Sequence, residues 1–420
     1  MKRSTVAAGS TSRPEFIGLI AGMMALNSLA IDVMLPALPN IGQTLGVMDE
    51  NERQFVIAAY MIGFGIAQLA FGPISDRFGR RKPLLVGFVV YIVAAFFAAL
   101  APNFTILLIL RLIQGMGAAS QRVVATSVVR DRFSGRDMAQ VMSLAFMVFM
   151  ALPVVAPGIG QLILLLGSWQ DIFFFMAGLA TLIGIWTYLR LPETLAPEHR
   201  RPLTTSAVTD GFRLVVTNRA AFFYGLCSMF LFAGMFGFIS SSEQVYVEVY
   251  GLGPYFPVAF ALTAAIMMGS NFLNAMIVQR LGQRRIAHTA VLLIIAIAAV
   301  VTVWSHFERP PLVAFFCLIT SIMFLYGLAP NNINSLSMEP LGEVAGTASS
   351  VFGFLQTVGG AVLGTVTAQA FDGTVFPVSF GFMSVAILTL IGILIAEKGK
   401  LFGVGEQYRG GDHAAPIFAE

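Results

Sequence analysis

Charged residues are scarce in this chain of 420 residues: Asp, Glu, Lys and Arg together make up only 11% of it. Hydrophobic residues make up 57%, and the mean hydropathy is +0.81. A water-soluble chain of this length could not bury so much apolar surface in one core. The composition therefore excludes a soluble globular protein and indicates a chain that folds in a lipid bilayer.

Cysteine and histidine are also rare, with two and four copies. Cys227 and Cys317 fall inside apolar runs, where a small buried side chain is expected rather than a disulfide or a metal ligand. The histidines are scattered and fit no metal-ligand spacing. No GxxxxGK[ST] nucleotide motif and no cluster of nucleophile and base occurs. We therefore expect no metal, no cofactor and no enzymatic activity.

Long apolar runs are what the chain has in abundance. Crossing about 30 Å of hydrocarbon takes roughly 20 apolar residues in a helix. The runs of that length cover residues 16–38, 54–72, 83–101, 104–128, 138–165, 171–189, 219–240, 256–278, 286–305, 311–335, 346–370 and 377–396. The first carries an acid and lacks an Ala-x-Ala-like cleavage site, so we expect it to be retained. The sequence predicts an all-α membrane protein of twelve transmembrane helices.

The basic residues are distributed unevenly between the two sides of the predicted membrane. With the N-terminus placed in the cytoplasm, only Arg53 and Arg309 of the 25 Lys and Arg residues fall in outer segments. Arg111 and Arg122 lie within the fourth run, and all the others lie in inner segments. Because cytoplasmic loops carry the excess of Lys and Arg, both termini are predicted to be cytoplasmic. The basic residues thus act as orientation signals, and we expect no nucleic-acid partner.

A nine-residue segment occurs twice in the chain. Residues 74–82 read ISDRFGRRK and residues 277–285 read IVQRLGQRR, each after the second span of six. The repeat predicts two pseudo-symmetric six-helix halves with a cavity between them and alternating access. The predicted division is a cytoplasmic N-terminus (1–15), an N-terminal half (16–189), a central cytoplasmic loop (190–218), a C-terminal half (219–396) and a cytoplasmic tail (397–420).

Asp32 is an acid inside the apolar first run. A charge at mid-membrane costs about 2.5–3.5 kcal/mol, so such a residue is a candidate proton carrier. The alternative is an acid near the outer helix end that reaches water or caps a neighbour. Counting 1.5 Å per residue places Arg111 at a similar depth, which makes it the obvious partner of Asp32. That pair could also be purely structural.

Further polar residues in the runs indicate cavity walls. Arg111, Gln114 and Arg122 share one face of the fourth helix. Arg122 could bind an anionic or zwitterionic substrate, or its long side chain could snorkel to the inner surface. Each of the others alone could equally make a hydrogen bond between helices. The candidate cavity residues are Asn27, Ser28, Tyr60, Gln114, Arg122, Asn271 and Asn331.

Four segments resemble one known family. They are AIDVMLPALPNI (30–41), GPISDRFGRRK (72–82), LRLIQGMGAA (110–119) and LPVVAPGIG (152–160). Together with the late stretch APNNINSLSMEPLGEVAGTASS (329–350), they make the chain similar to the major facilitator superfamily. Within that superfamily, the first and last segments resemble the Bcr/CflA drug:proton antiporters.

The resemblance implies roles for particular residues. Asp32 would carry the proton, and Arg111, in the RLIQG motif, would couple protonation to substrate. Some related exporters carry a second acid where this chain has Met24, so a single first-span acid is expected. The loop after the second span would stabilise the outward-open state, although its basic residues could serve orientation alone. The expected gating residues are Asp76, Arg77, Arg80, Arg130 and Asp131.

The expected function is proton-coupled efflux of drugs, a drug:H+ antiport associated with antibiotic resistance, in a bacterial inner membrane. The expected partners are small hydrophobic or amphipathic substrates, protons and the lipid bilayer, with the protein acting as a monomer. The nearest alternative is the same fold transporting a defined metabolite such as a sugar, amino acid or peptide. A less favoured alternative is a membrane sensor that binds without transporting.

Overall fold

The computed structural model describes residues 12–47, 49–133, 135–195, 213 and 215–402. In residues 135–140, 142–150, 342–347 and 349 it describes the backbone alone. Most of the predicted central loop (190–218) and of the predicted tails (1–15 and 397–420) lies outside the described residues.

The described chain forms twelve helical spans. In order they are Arg13–Asp32, Phe55–Phe78, Arg81–Ala99, Phe104–Arg132, Gly135–Leu166, Trp169–Arg190, Arg219–Glu243, Phe256–Leu281, Gln283–Phe307, Leu312–Met338, a broken eleventh span, and Phe376–Ala396. The eleventh consists of Ala345–Phe354 and Gly360–Gln369 on either side of a π-helical turn, Leu355–Gly359. Within the described residues, eleven segments are long and apolar enough to cross a membrane, and the fifth span holds a shorter apolar stretch, Ala151–Leu166. The predicted number and type of spans are confirmed.

Two α-helix ends differ from the predicted span ends. The first helix stops at Asp32 and not near residue 38, and the chain continues as a 3-10 turn, Leu35–Ala37, and a short helix, Leu38–Leu45. Pro36 and Pro39 lie in this stretch, and proline cannot continue the hydrogen-bond ladder of a helix. The seventh span runs past residue 240 and ends in a π-helical turn, Gln244–Val249. Asp32 is therefore the last residue of the first α-helix, and it lies inside an apolar segment, Arg13–Leu45, that is long enough to cross a membrane.

The bundle has two ends, the terminal face and the distal face. The terminal face is the end where the first span begins, near Arg13, and the twelfth ends, near Ala396. The distal face is the opposite end, where the second span begins, near Phe55. The two halves pack against each other chiefly through the second span against the broken eleventh, and through the fifth against the eighth. Any polar cavity between the halves must therefore lie beside these two seams.

Gly160 in the fifth span shows how closely the helices approach. A Cβ atom at this position would overlap the carbonyl oxygen of Val33 and lie 3.0 Å from Cγ of Pro36. At Gly158, one half-turn earlier, a Cβ atom would meet no described atom within 4 Å.

Gly160→Ala is therefore expected to destabilise the fold, because the methyl group would push the fifth span away from the chain next to Asp32. Overpacking of this kind costs about 1–3 kcal/mol. Gly158→Ala, the matched control, should unfold within about 0.5 kcal/mol of the parent protein. Thermal unfolding in detergent measures both. Equal melting temperatures for the two variants would contradict the packing described here.

Candidate functional site

Asp32 ends the first span in a buried position, with 4% of its surface exposed. Its carboxylate accepts a hydrogen bond from Oγ of Ser28, one turn earlier on the same helix, at 2.9 Å. Among the described residues, no cation lies within ion-pair distance of it. Asp32 is thus a buried acid supported by one neutral donor.

Arg111, on the fourth span, is completely buried. Its guanidinium donates hydrogen bonds to the carbonyl oxygens of Val56 (3.0 Å) and Ala30 (2.9 Å) and to Oε1 of Gln114 (2.8 Å). These acceptors belong to the second, first and fourth spans, so one side chain ties three helices together. A guanidinium suits this task because its donors point in fixed, divergent directions.

The predicted ion pair between Asp32 and Arg111 is wrong, although the two residues do lie at a similar depth. Arg111 reaches Ala30 on the first helix, only two residues before Asp32. Two residues rotate a helix by about 200°, so positions 30 and 32 face nearly opposite directions. Arg111 therefore satisfies its donors with backbone and amide oxygens, and Asp32 is left without a cationic partner.

An aromatic and amide network surrounds Arg111. The hydroxyl of Tyr60 donates to Oδ1 of Asn27 at 2.9 Å, and the guanidinium carbon lies 4.6 Å from the centroid of the Tyr60 ring. The sequence missed Tyr91, on the third span, whose buried hydroxyl has no described hydrogen-bond partner, as is also true of Nε2 of Gln114. A tyrosine in an otherwise apolar third run was the available signal. These two polar groups could hydrogen-bond a water molecule or a substrate.

The remaining cavity candidates lie in two places. Arg122 is exposed on the fourth span, unlike Arg111 eleven residues earlier. Its neighbour Gln121 was also missed by the sequence; it is completely buried, and neither of its amide atoms has a described partner. In the second half, Nδ2 of the exposed Asn331 donates to Oδ1 of Asn271 at 2.6 Å, which joins the tenth and eighth spans. Three of the predicted residues, Asn27, Tyr60 and Gln114, thus lie around Arg111. Ser28 bonds to Asp32, Arg122 lies apart, and the two asparagines of the second half form a separate pair.

Arg80 is the centre of an ion cluster at the terminal face, and only 3% of its side chain is exposed. Its guanidinium pairs with Asp131 at 2.9 Å and with Asp76, and it also donates to Oγ of Ser75 at 2.9 Å. Burial lowers the pKa of Arg80, but its hydrogen bonds and charge attraction to the two carboxylates outweigh burial and raise that pKa above its usual value. The loop after the second span is therefore tied to the end of the fourth.

Two of the predicted gating residues, Arg77 and Arg130, do not belong to this ion cluster. Arg77 is exposed, with its guanidinium over the ring of Phe78, and Arg130 is exposed as well. Neither makes an ion pair with a side chain that the structure describes. The sequence missed Glu193, after the sixth span, which accepts from the backbone N–H groups of Arg80 (2.8 Å) and of the next residue (3.1 Å). The acid in LPET, just past the sixth run, was its signal.

The second half repeats this arrangement with a different arginine. Arg284, at the start of the ninth span, pairs with Glu339 (2.9 Å) and Glu397 (2.7 Å), which follow the tenth and twelfth spans. Tyr224 also donates to Glu397, at 2.7 Å. The sequence repeat aligns Arg284 with Arg81, one residue after the central arginine of the first half. Each half thus has a basic residue that holds together the ends of its helices at the terminal face.

Four amide side chains join the two halves at the distal face. We call them the distal amide cluster: Asn51, Gln54, Gln244 and Gln369. Nδ2 of Asn51 donates to the carbonyl oxygens of Gln369 (3.1 Å) and Phe371 (3.0 Å), and Nε2 of Gln244 donates to Oδ1 of Asn51 (3.1 Å). Gln54 donates to Gln244, and Gln369 donates back to the carbonyl oxygen of Asn51. The distal side is therefore closed by contacts between the halves.

This fold and its buried arginine and acid are those of a membrane transporter built from two six-helix halves. The family model described as Major Facilitator Superfamily matches residues 20–364, so the chain belongs to that superfamily. Members are transporters and not enzymes, as the sequence predicted. The protein is accordingly a multi-pass membrane transporter.

Similar proteins agree with this assignment. The chain is 32% identical to an MFS-type transporter of Bacillus subtilis, YdgK, over 83% of this chain and 87% of that one. It is 27% identical to the bicyclomycin resistance protein homologue of Haemophilus influenzae, over 90% and 94%. Among solved structures, a D-xylose–proton symporter superimposes with a TM-score of 0.73 at 15% identity, over 92% of this chain and 99% of that one, which supports the fold alone. The resemblance to the Bcr/CflA type is confirmed.

Proposed function

We propose that this protein exports small hydrophobic or amphipathic compounds from bacteria in exchange for protons, acting as a monomer in the inner membrane. The observation that carries the proposal is Asp32, a buried carboxyl group with no described cationic partner. A charge in that position is costly, and binding a proton removes the charge. Proton uptake and release at Asp32 therefore favour different arrangements of the surrounding helices.

The similar proteins and the distribution of charge support the proposed direction of transport. A relative bears the name of a resistance protein, which fits removal of a toxic compound from the cell. The excess of basic residues at the terminal face supports a cytoplasmic position for that face and an outer position for the distal face. In the proposed orientation, the closed distal amide cluster corresponds to the inward-facing state of an alternating-access cycle.

Arg111 and the polar groups around it are the proposed link between proton and substrate. Arg111 holds the first, second and fourth spans at the level of Asp32. Any shift of the first span on protonation of Asp32 therefore moves acceptors that Arg111 needs. Tyr91 and Gln114 offer polar groups without described partners at this position, where an amphipathic compound could be bound.

The test is transport in everted membrane vesicles across a panel of compounds, with and without an imposed proton gradient. We expect accumulation of several hydrophobic or amphipathic compounds that stops when the gradient is collapsed. Accumulation that ignores the gradient would contradict proton coupling. Counterflow of a single sugar, amino acid or peptide, with no drug transported, would assign the protein to a defined metabolite instead.

A further inference from the structure

Arg122 on the fourth span is exposed, although it lies well inside the length of the bundle. Its helix continues to Arg132, so at 1.5 Å per residue Arg122 lies about 15 Å from the terminal end of that helix. The next charged residue toward this end of the span is Arg130, about 12 Å further along the helix. A charged side chain at such a depth is costly beside lipid and is expected to face water or polar groups.

The lipid-facing side of the fourth span is marked by its exposed apolar residues. Between Ile106 and Met116 every exposed side chain is apolar, and Ile113, the one nearest to mid-helix after Met116, is 37% exposed. Each residue turns an α-helix by about 100°, so Arg122, nine residues after Ile113, points about 180° away from it. Arg122 therefore does not lie on the side of the helix that these apolar residues present to lipid.

The third span shows which side of the fourth is turned outward near Arg122. This span packs chiefly against the second, fourth and sixth spans, and its Val86 and Val89 are 58% and 59% exposed. It meets the fourth span at Ser120, whose side chain a Cβ atom at Gly87 would overlap. Arg122, two residues later, is turned about 160° from Ser120. It thus points into the bundle, and snorkelling along the lipid does not explain its exposure.

A polar row begins at Arg122 and runs to the terminal face. Between Gly117 and Arg130 the exposed residues of the fourth span are Arg122, Thr126 and Arg130, at intervals of four residues. Side chains at this spacing lie in one row along a helix. Since the row is exposed, polar and turned away from lipid, it indicates the wall of a water-filled cavity. The distal amide cluster closes the other end, so this cavity opens at the terminal face.

We propose that Arg122 binds an anionic group of the substrate, so that the compounds transported include amphipathic acids: molecules with a carboxylate, sulfonate or phosphate on an apolar body. A guanidinium suits such groups, because its planar N–H donors match two oxygens at once. Arg111 does not compete for this role, since it is completely buried and its donors bond to oxygens of three spans. Arg122 is the deeper end of the polar row, where a bound acid has left bulk water.

This inference rests on the proposed function in one respect, that the cavity between the halves is the transport site. It narrows the substrates from hydrophobic or amphipathic compounds in general to those that carry an acidic group. The head group of an anionic lipid offers the same chemistry from a different source. The experiment therefore includes one arm for dissolved acids and one for lipid.

The test compares three ligands that share the fluorescent dansyl group and differ in charge. Dansylglycine carries a carboxylate, dansylglycinamide is its neutral amide, and N-(2-aminoethyl)dansylamide carries an ammonium group. Binding to the full-length protein is measured by equilibrium dialysis at neutral pH, in nanodiscs of phosphatidylcholine, which has no net charge. We expect the carboxylate to bind about tenfold more tightly than the amide, as for one charge-assisted hydrogen-bonded pair, and the ammonium to bind most weakly. Equal affinities for the carboxylate and the amide would overturn the proposal.

Arg122→Gln should remove this preference, bringing dansylglycine to within about threefold of dansylglycinamide. Arg122→Lys should keep part of it, because the charge remains while the planar donors are lost. A preference lost with Gln and partly kept with Lys assigns the effect to charge and not to a disturbed fold. Arg77→Gln, which removes an exposed arginine of the second span, is the matched control and should bind all three ligands like the parent protein. A preference that survives Arg122→Gln, or is lost equally with Arg77→Gln, would refute the site.

The lipid arm repeats the measurement in nanodiscs that contain phosphatidylglycerol. Unchanged binding of dansylglycine assigns the site to dissolved acids. Loss of that binding would show that a lipid head group occupies Arg122, and the substrate assignment would fall.

Transport in vesicles separates this inference from the proposed function. If the acid is preferred in binding but its transport ignores the proton gradient, the substrate class stands and proton coupling fails. If proton-driven transport is seen only for neutral or cationic compounds, and no acid is preferred in binding, proton coupling stands and the role of Arg122 fails.

Discussion

Asp32→Asn is expected to abolish proton-driven efflux while leaving the folded protein and its substrate binding intact. Asparagine has nearly the same shape and can still accept the hydrogen bond from Ser28, so the end of the first span should be preserved. It cannot take up and release a proton at neutral pH. Everted vesicles should therefore show efflux no higher than vesicles without the protein, at equal amounts of protein in the membrane.

The controls for this prediction separate coupling from binding. Glu52→Gln removes an exposed acid and should transport at the parent rate. Substrate binding to Asp32→Asn, measured by tryptophan fluorescence or calorimetry in detergent, should remain within a few-fold of the parent value. Efflux by the variant at the parent rate, still responsive to the pH gradient, would show that another residue carries the coupled proton.

Arg80→Gln is expected to lower the stability of the protein strongly. Removing the guanidinium leaves Asp76 and Asp131 close together without a cation and deprives Ser75 of a donor. Breaking a fully buried pair costs about 3–5 kcal/mol. The loss here should be nearer about 2–4 kcal/mol, because the Asp76 side chain is 40% exposed and water offsets part of the repulsion.

The matched control is Arg77→Gln, three residues earlier in the last turn of the second span, where the side chain is exposed. It should change the free energy of unfolding by less than about 0.5 kcal/mol. Thermal unfolding in detergent compares the two variants directly, and an exchange assay shows whether transport slows in proportion. The same melting temperature for both variants would mean that Arg80 is not the residue that holds the loop.

The sequence predicted the number of helices well and their ends less well. A run of about 20 apolar residues has few alternatives to a transmembrane helix, since no other structure satisfies its backbone in lipid. Where a helix ends depends on weaker local effects. Pro36 and Pro39 ended the first helix early, and the π-helical turn at Gln244–Val249 extended the seventh beyond its apolar run.

For the loop after the second span, the sequence again predicted which residues matter better than how they are arranged. Its basic residues and its repeat in the second half were visible in the sequence, and Arg80, Asp76 and Asp131 do come together. The sequence could not single out Arg80 from the neighbouring arginines. That choice depends on which side chain points toward the fourth span, whose Asp131 is 51 residues away in the chain.

The distal amide cluster was not visible at all. Its four residues occur near the ends of predicted spans, where amide side chains are unremarkable in a sequence. What sets them apart is that the closed distal side brings Asn51 of one half against Gln244 and Gln369 of the other. Contacts between halves depend on the state of the whole molecule and leave no local pattern.

Asp32 shows which properties of a residue the sequence determines and which ones only the tertiary structure decides. The sequence by itself determined the spans, the family and the presence of an acid and an arginine at the same depth, because these depend on hydropathy and on distance along a helix. Only the tertiary structure decided that Arg111 bonds to Val56, Ala30 and Gln114 instead of to Asp32. The direction in which a side chain leaves its helix has meaning only once the neighbouring helices are in place, and the physical state of Asp32 depends on those neighbours.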